Sequence, residues 1–295
     1  MDYVILSNGV RMPQLGYGVY QISKDECEHC VLNALNVGYR HIDTAQSYFN
    51  EEEVGNAIAK SGIPREEIFL TSKVWIEHYG YEETKKSVYE SLRKLKTDYI
   101  DLMLLHQPFS DYYGAWRALE ELYKDGKLKA IGISNFYPDR MVDLCSFAKI
   151  KPMVNQVEAH PHNQQTEAQK WMKKYDVHME AWAPFGEGRG GLFTNETIAA
   201  IGKKYNKTVA QVILRWELQR GIVVIPKSVH IERMQENFDV FDFELSDDDM
   251  SVIASLDKKQ SSFFSHTDPN MVEWFVKMVE ERKNNKDHKK EKKNW

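Results

Sequence analysis

Thr97-Asp98-Tyr99-Ile100-Asp101-Leu102-Met103-Leu104-Leu105-His106 decides the architecture. Tyr99–Leu105 is a short, nearly continuous apolar run of the kind that forms a buried strand, and it stops on a histidine. The amphipathic pattern of Glu82–Leu95 precedes it and that of Tyr113–Lys124 follows, before a second apolar run at Leu128–Ile133. The same unit repeats outward in both directions. Candidate strands are Gln14–Tyr17, Tyr39–Ile42, Ile68–Ser72, Tyr99–Leu105, Leu128–Ile133, Met153–Gln156, His178–Trp182 and Val223–Ile225. Candidate helices are Lys24–Leu35, Glu51–Ala59, Glu82–Leu95, Tyr113–Lys124, Asp139–Phe147, Thr166–Lys174 and Val209–Leu218. Eight strands alternating with helices, at a period of roughly 25–30 residues, predict an α/β chain closed into a (β/α)8 TIM barrel. An open doubly wound sheet is the rival. It usually begins with a glycine-rich turn, and Gly16-Tyr17-Gly18 lacks the third glycine.

Smaller signals complete the plan. Asn8-Gly9 between Tyr3–Leu6 and Val10–Met12 predicts a β-hairpin plugging the N-terminal end of the barrel. Ser23 before Lys24-Asp25-Glu26 has the spacing of a capping box, and Gly38 marks a helix stop. Asp268-Pro269 opens a helix running to about Glu281, with Met271, Val272, Phe275, Met278 and Val279 at helical spacing. Residues 1–256 read as the barrel, 257–283 as a loop and helix packed on it, and 284–295 as a disordered basic tail.

The 295 residues are 42% hydrophobic and 28% charged, enough for a large core that needs no disulfide or metal. The N-terminus has neither the basic start nor the apolar run of a signal peptide, and no stretch approaches the roughly 20 apolar residues that span a bilayer. Three cysteines, Cys27, Cys30 and Cys145, suit a reducing compartment and a cytoplasmic protein. Cys27-Glu28-His29-Cys30 has redox-motif spacing but falls inside an ordinary helical pattern. Net charge is −5; Arg282–Trp295 holds seven Lys/Arg and two acids, so the rest of the chain carries −10. An acidic body disfavours nucleic acid as a partner.

In such a barrel the reacting groups stand at the C-terminal ends of strands. Here those ends are Asp43, Lys73, His106, Ser134/Asn135, Gln156, Trp182 and Lys227/Ser228. Together with Tyr48 they suggest proton-coupled hydride chemistry. A carbonyl that accepts a hydride needs a proton for its developing alkoxide, and Tyr48 can give it. A free phenol has a pKa of about 10, which a neighbouring Lys73 ammonium would lower. Asp43 would fix Lys73, and a neutral His106 would orient the carbonyl oxygen. Taken singly, each of these residues reads as structural; their convergence at one barrel mouth is the signal.

Three motifs carry a resemblance. Gly38-Tyr39-Arg40-His41-Ile42-Asp43-Thr44-Ala45 with Tyr48, Asn50 and Glu51 is the first. The second is Leu95, Thr97–Leu102 and Leu105-His106-Gln107-Pro108. The third is Ile225-Pro226-Lys227-Ser228, Arg233-Met234, Glu236-Asn237 and Phe241–Leu245. In this order they resemble the aldo-keto reductases, of the bacterial type that includes diketogluconate and glyoxal reductases, from about Val4 to Leu256. The resemblance implies a (β/α)8 fold and NADPH-dependent reduction of a small carbonyl substrate, with Asp43, Tyr48, Lys73 and His106 as the catalytic set. It implies that Ser134, Asn135 and Gln156 hold the nicotinamide amide and that Trp182 stacks under its ring. Lys227, Ser228 and Arg233 would read the 2′-phosphate, and Glu236 and Asn237 the adenine; two cations there favour NADPH over NADH. Relatives of this kind mostly act as monomers, so a monomer or weak dimer is expected.

Some positions depart from the family pattern. Gln107 and Tyr20 stand where many relatives have Trp, and with Trp75, His78 and Tyr79 they fall where substrate is held. Tyr20, Trp75 and Gln107 are therefore the expected substrate pocket. Gly186-Glu187-Gly188-Arg189-Gly190-Gly191 is a short loop, which predicts easy cofactor exchange. Three rivals remain at this point: an NADPH-sensing barrel with little turnover, a hydrolase using Asp43 and Glu158, and a metal site on His160-Pro161-His162. No metal is expected from the last, because no third ligand is evident.

Overall fold

The computed structural model of the protein describes residues 2–291, with side chains through 284. Tyr3–Ile5 (β1) and Arg11–Pro13 (β2) pair antiparallel around Gly9, whose φ of +86° is the left-handed geometry a tight turn asks of glycine. Eight parallel strands follow in unbroken neighbour order: β3 (Tyr17–Gly18), β4 (His41–Asp43), β5 (Phe69–Val74), β6 (Ile100–Leu105), β7 (Leu128–Ser134), β8 (Val154–Glu158), β9 (His178–Trp182) and β10 (Val223–Val224). The ring closes where Leu15 bridges Val224 in parallel and the Gly16 amide donates to the Val224 carbonyl at 2.8 Å. The protein is thus a closed (β/α)8 barrel, as the strand–helix alternation implied.

The helices are α1 (Lys24–Val37), α2 (Glu51–Lys60), α3 (Tyr81–Leu95), α4 (Tyr112–Lys124), α5 (Pro138–Phe147), α6 (Thr166–Tyr175), α7 (Glu196–Tyr205), α8 (Val209–Gln219), α9 (Ile231–Phe238), α10 (Asp247–Ala254) and α11 (Pro269–Glu291). The seven expected helices all form, with ends shifted by a residue or two. Helices α7, α9 and α10 were not anticipated. Helices α9 and α10, at 8 residues each, are too short for periodicity to stand out. The caps of α7 and α10 are legible in retrospect: the Asn195 and Ser246 side chains accept from the backbone amides of Ile198 and Asp249. Ser23 departs from its expected role. Its hydroxyl donates to the Glu26 carboxylate at 2.8 Å instead of capping α1, while the full capping box appears at Thr208 and Gln211. Cys27 and Cys30 lie within α1 as buried free thiols, not at a strand-to-helix turn.

The hairpin sits where the sequence placed it. Its Asn8 side chain donates to the Lys129 carbonyl at the start of β7, and the Ile5 carbonyl meets His178 at the start of β9. With Leu6 and Met12 buried, it covers the N-terminal end of the barrel. Packing between strands is tight at Gly132 on β7, where an added Cβ would lie 2.6 Å from the Val154 carbonyl oxygen. Helix α11 begins at Pro269, as expected, but continues past Glu281 to Glu291. Of the basic tail expected at 284–295, all side chains after 284 and the last four residues lie outside the described part.

Candidate active site

The C-terminal strand ends open into a cavity of about 740 Å³. Strand pleat selects what points inward. His41 and Asp43, two apart on β4, share a buried face, as do Thr71 and Lys73 on β5; His41 Nε2 lies 3.0 Å from the Thr71 hydroxyl below, and the Asp43–Lys73 pair sits above. Lys73 is 0% exposed. Its ammonium donates to Asp43 Oδ1 at 2.5 Å, to the Thr44 carbonyl at 3.0 Å and to the Tyr48 hydroxyl at 3.3 Å. Those three acceptors match its three hydrogens. Asp43 Oδ2 accepts from Gln156 Nε2 at 2.8 Å, and the same amide donates to Glu180 Oε2 at 3.0 Å.

Burial raises the Asp43 carboxyl, while Lys73 and Gln156 pull it back toward ionisation. Burial disfavours the Lys73 charge, but Asp43 and the phenol more than reverse that, so its pKa is raised and it stays an ammonium. Tyr48 corrects an expectation. Burial pushes its phenol up to about 12, even though the Lys73 charge acts downward as foreseen. The ammonium limits the rise and does not bring the group below a free phenol. Tyr48 is only half-buried, beside Tyr20 at 4.9 Å between ring centres, so water in the open cavity tempers the upward push. Burial, with Lys73 adding to it, holds His106 well below its usual value, so the imidazole is neutral at physiological pH. Its ring meets Tyr48 edge-on at 5.7 Å and Trp75 at 5.0 Å.

Most of the other expected residues converge on the same cavity. Asn135 adopts φ +65° just after β7. Its amide donates to the His106 carbonyl at 3.1 Å and to the Ser134 hydroxyl, while its oxygen accepts from the Trp182 indole at 2.9 Å. Ser134, Gln156, Trp182, Lys227, Arg233, Tyr20, Trp75 and Gln107 all line the wall. Ser228, Glu236 and Asn237 do not reach it. Ser228 accepts from the His230 amide, Glu236 accepts from Thr208 at 2.6 Å, and Asn237 is buried. Glu158, the rival hydrolase carboxylate, accepts from Ser261, from the Ser262 amide and from His160, and Asp43 is held by Lys73.

Sequence reading missed one wall entirely. Phe263, Phe264 and His266 from the loop after α10, and Trp274, Phe275, Met278 and Arg282 from α11, all line the cavity. Phe275 and Arg282 stand beside Trp75, while Phe263 packs on Trp182 at 5.1 Å between ring centres. Phe275 lies 5.9 Å from Trp75 between ring centres. The helical spacing of Phe275 and Met278 foretold a docked helix, but not that it docks on the mouth.

Comparison with known proteins agrees with the fold and gives the family. The Aldo/keto reductase family matches residues 9–258. Glyoxal reductase of Bacillus subtilis (strain 168) is 51% identical over 261 residues, covering 88% of this chain and 94% of that protein. The crystal structure of MGS-M4, an aldo-keto reductase enzyme from a Medee basin deep-sea metagenome library, superposes with a TM-score of 0.88 at 46% identity, covering 90% of this chain and 98% of that one. An aldo-keto reductase of Bombyx mori, solved in complex with NADP, gives 0.85 at 32% identity, covering 89% and 95%. With that agreement in fold, sequence and length, the chain belongs to the aldo/keto reductase family and is an oxidoreductase.

Proposed function

We propose that the protein reduces aldehydes and ketones to alcohols with NADPH, and that Tyr48 is the general acid. The observation that carries this is the Lys73 ammonium, held by Asp43 at 2.5 Å and lying 3.3 Å from a phenol that faces the cavity. The residues present fit a nicotinamide dinucleotide. Asn135 and Gln156 supply amide-reading groups, and Trp182 a flat surface. Lys227 and Arg233, on the same wall, form no ion pair among the described residues, which suits the phosphates. Two unpaired cations also favour NADPH over NADH. When bound, the reduced nicotinamide supplies the hydride.

The protein's own residues do the rest. The neutral His106 imidazole donates a hydrogen bond that orients the carbonyl oxygen. Tyr48 gives that oxygen its proton as negative charge develops. The Lys73 ammonium stabilises the phenolate left behind, and Asp43 keeps Lys73 charged and in place. Trp75 and the aromatic residues of α11 line the cavity, so a bound substrate would displace water there and strengthen each of these interactions. Glyoxal, named in the similar Bacillus protein, together with short aldehydes and other α-dicarbonyls, falls within the carbonyl substrates this site would accept. Three buried free thiols support a cytoplasmic setting, and we take the working unit to be a monomer or weak dimer.

Tyr48→Phe tests the reading. Loss of nicotinamide absorbance with a simple aldehyde should cease, while quenching of tryptophan fluorescence by NADPH persists. Undiminished turnover in the variant would remove Tyr48 as the acid.

A further inference from the structure

The cavity wall contains polar atoms that nothing among the described residues satisfies. Trp75 Nε1, Gln107 Oε1, His266 Nε2 and Arg282 Nη1 are all buried without a hydrogen-bond partner among the described residues, and all four residues line the same cavity. Orphaned buried donors and acceptors are costly, so their gathering on one wall asks for a ligand that completes them. None of these four atoms has a part in the proton transfer proposed above.

Two of the four are strict donors on facing elements. Trp75 follows β5, is only 6% exposed, and presents an indole N–H. Arg282 comes from α11, beyond residue 258 where the family match ends. Its guanidinium lies 5.5 Å from the Trp75 ring centre and 5.1 Å from that of Phe49, and forms no ion pair among the described residues. The other charged groups lining the cavity are otherwise placed. Asp43 is paired with Lys73, Arg189 donates to the Ser262 carbonyl, and Lys227 and Arg233 suit a cofactor phosphate. Glu187 lies on the glycine-rich loop, where burial raises its carboxyl and the charges of Arg189 and Lys227 act against that rise.

Building on the carbonyl reductase reading, we propose that Arg282 and the Trp75 indole form a carboxylate subsite, and that the preferred substrates are aldehydes or ketones bearing a carboxylate at the end remote from the carbonyl. The geometry sets the reach. Trp75 and His106 ring centres are 5.0 Å apart, so the guanidinium lies within about 10.5 Å of the imidazole that orients the carbonyl. A short linear oxo acid or a formyl-substituted benzoate spans that gap, and the aromatic lining beside it, Trp75 and Phe275, accepts the apolar middle. A guanidinium recognises a carboxylate through two parallel hydrogen bonds, and here the indole N–H can add a third donor. Helix α11 thus adds a selectivity element to a barrel whose chemistry lies elsewhere.

The test uses the full chain and two matched substrate pairs: 4-oxobutanoate against butanal, and 4-carboxybenzaldehyde against its methyl ester. The wild type should show a higher kcat/KM for the acid of each pair. Arg282→Gln should lower the acid-to-neutral ratio on the order of tenfold, as loss of a charged hydrogen bond implies, chiefly through KM. Arg282→Lys should restore part of it, and Trp75→Phe, which deletes the N–H and keeps an aromatic ring, should lower it by a smaller factor. A wild type with no preference for the acids, or a ratio that Arg282→Gln leaves within twofold, overturns the subsite. Failure to reduce even the neutral aldehydes would instead overturn the carbonyl reductase reading.

Discussion

Replacing Lys73 with Met isolates the role assigned to the buried ammonium. The methionine fills much the same volume and removes the charge 3.3 Å from the Tyr48 hydroxyl. At an effective dielectric of about 20, a unit charge at that distance stabilises the phenolate by about 5 kcal/mol. Burial outweighs the lysine and leaves the phenol at about 12, so removing the charge pushes it further in the same direction. If about half of the lost stabilisation is felt at the transition state, as for a proton in mid-transfer, reduction slows on the order of 10²-fold. Alcohol oxidation, which begins from the phenolate, should suffer more. The substitution also strands Asp43, and breaking a buried pair costs about 3–5 kcal/mol. Asp43 offsets part of this by taking a proton, the direction in which burial already drives it. The assay is single-turnover reduction of an aldehyde by excess enzyme loaded with NADPH, run from pH 6 to 10, with circular dichroism confirming the fold. A folded Lys73→Met enzyme that reduces at the wild-type rate, with the wild-type pH profile, would refute the reasoning.

Other consequences can be checked independently. Arg233→Ala should weaken NADPH by about 1–3 kcal/mol more than NADH, read by fluorescence titration; equal losses would contradict a 2′-phosphate role. Burial, with the Asp43 charge adding to it, pushes Glu180 up to about 8, so at neutral pH the folded protein keeps a proton that the unfolded chain, with an ordinary value near 4.5, has given up. That contribution is complete below about pH 4.5 and is lost as pH rises toward 8. Glu180→Gln should therefore flatten the fall in urea stability between pH 5 and 8.5 relative to the wild type; parallel curves would exclude it.

Much of the fold was legible because a parallel barrel writes itself as buried apolar runs at regular spacing. Leu104-Leu105-His106 announces both a strand and its functional end. The meeting of Asp43, Tyr48, Lys73 and His106 was legible for the same reason: they stand at or just beyond strand ends, where register fixes their approach. What escaped notice depended on distance in the chain. Helices α9 and α10 are too short for periodicity to show, and nothing local marks that the Ser228 hydroxyl turns to the His230 amide or that Asn237 is buried. The aromatic wall from Phe263 to Met278 could be read as a docking face, but the surface it docks on is set by contacts that span nearly the whole sequence. The sign of the Tyr48 shift was missed because proximity of an ammonium can be inferred from motif spacing, whereas the degree of desolvation cannot.

The ring of strands has a weak stave. Between β3 and β10 only a two-residue strand faces another, and closure relies on the Leu15 bridge and on the amides of Gly16 and Gly18 donating to the Val224 and Pro226 carbonyls. Lys227 follows directly, so a dinucleotide gripping that residue would act as a hoop across the joint. Deuterium should enter the amides of Gly16, Gly18 and Val224 before those of β5 to β7, and a bound dinucleotide should slow that entry most at these three positions.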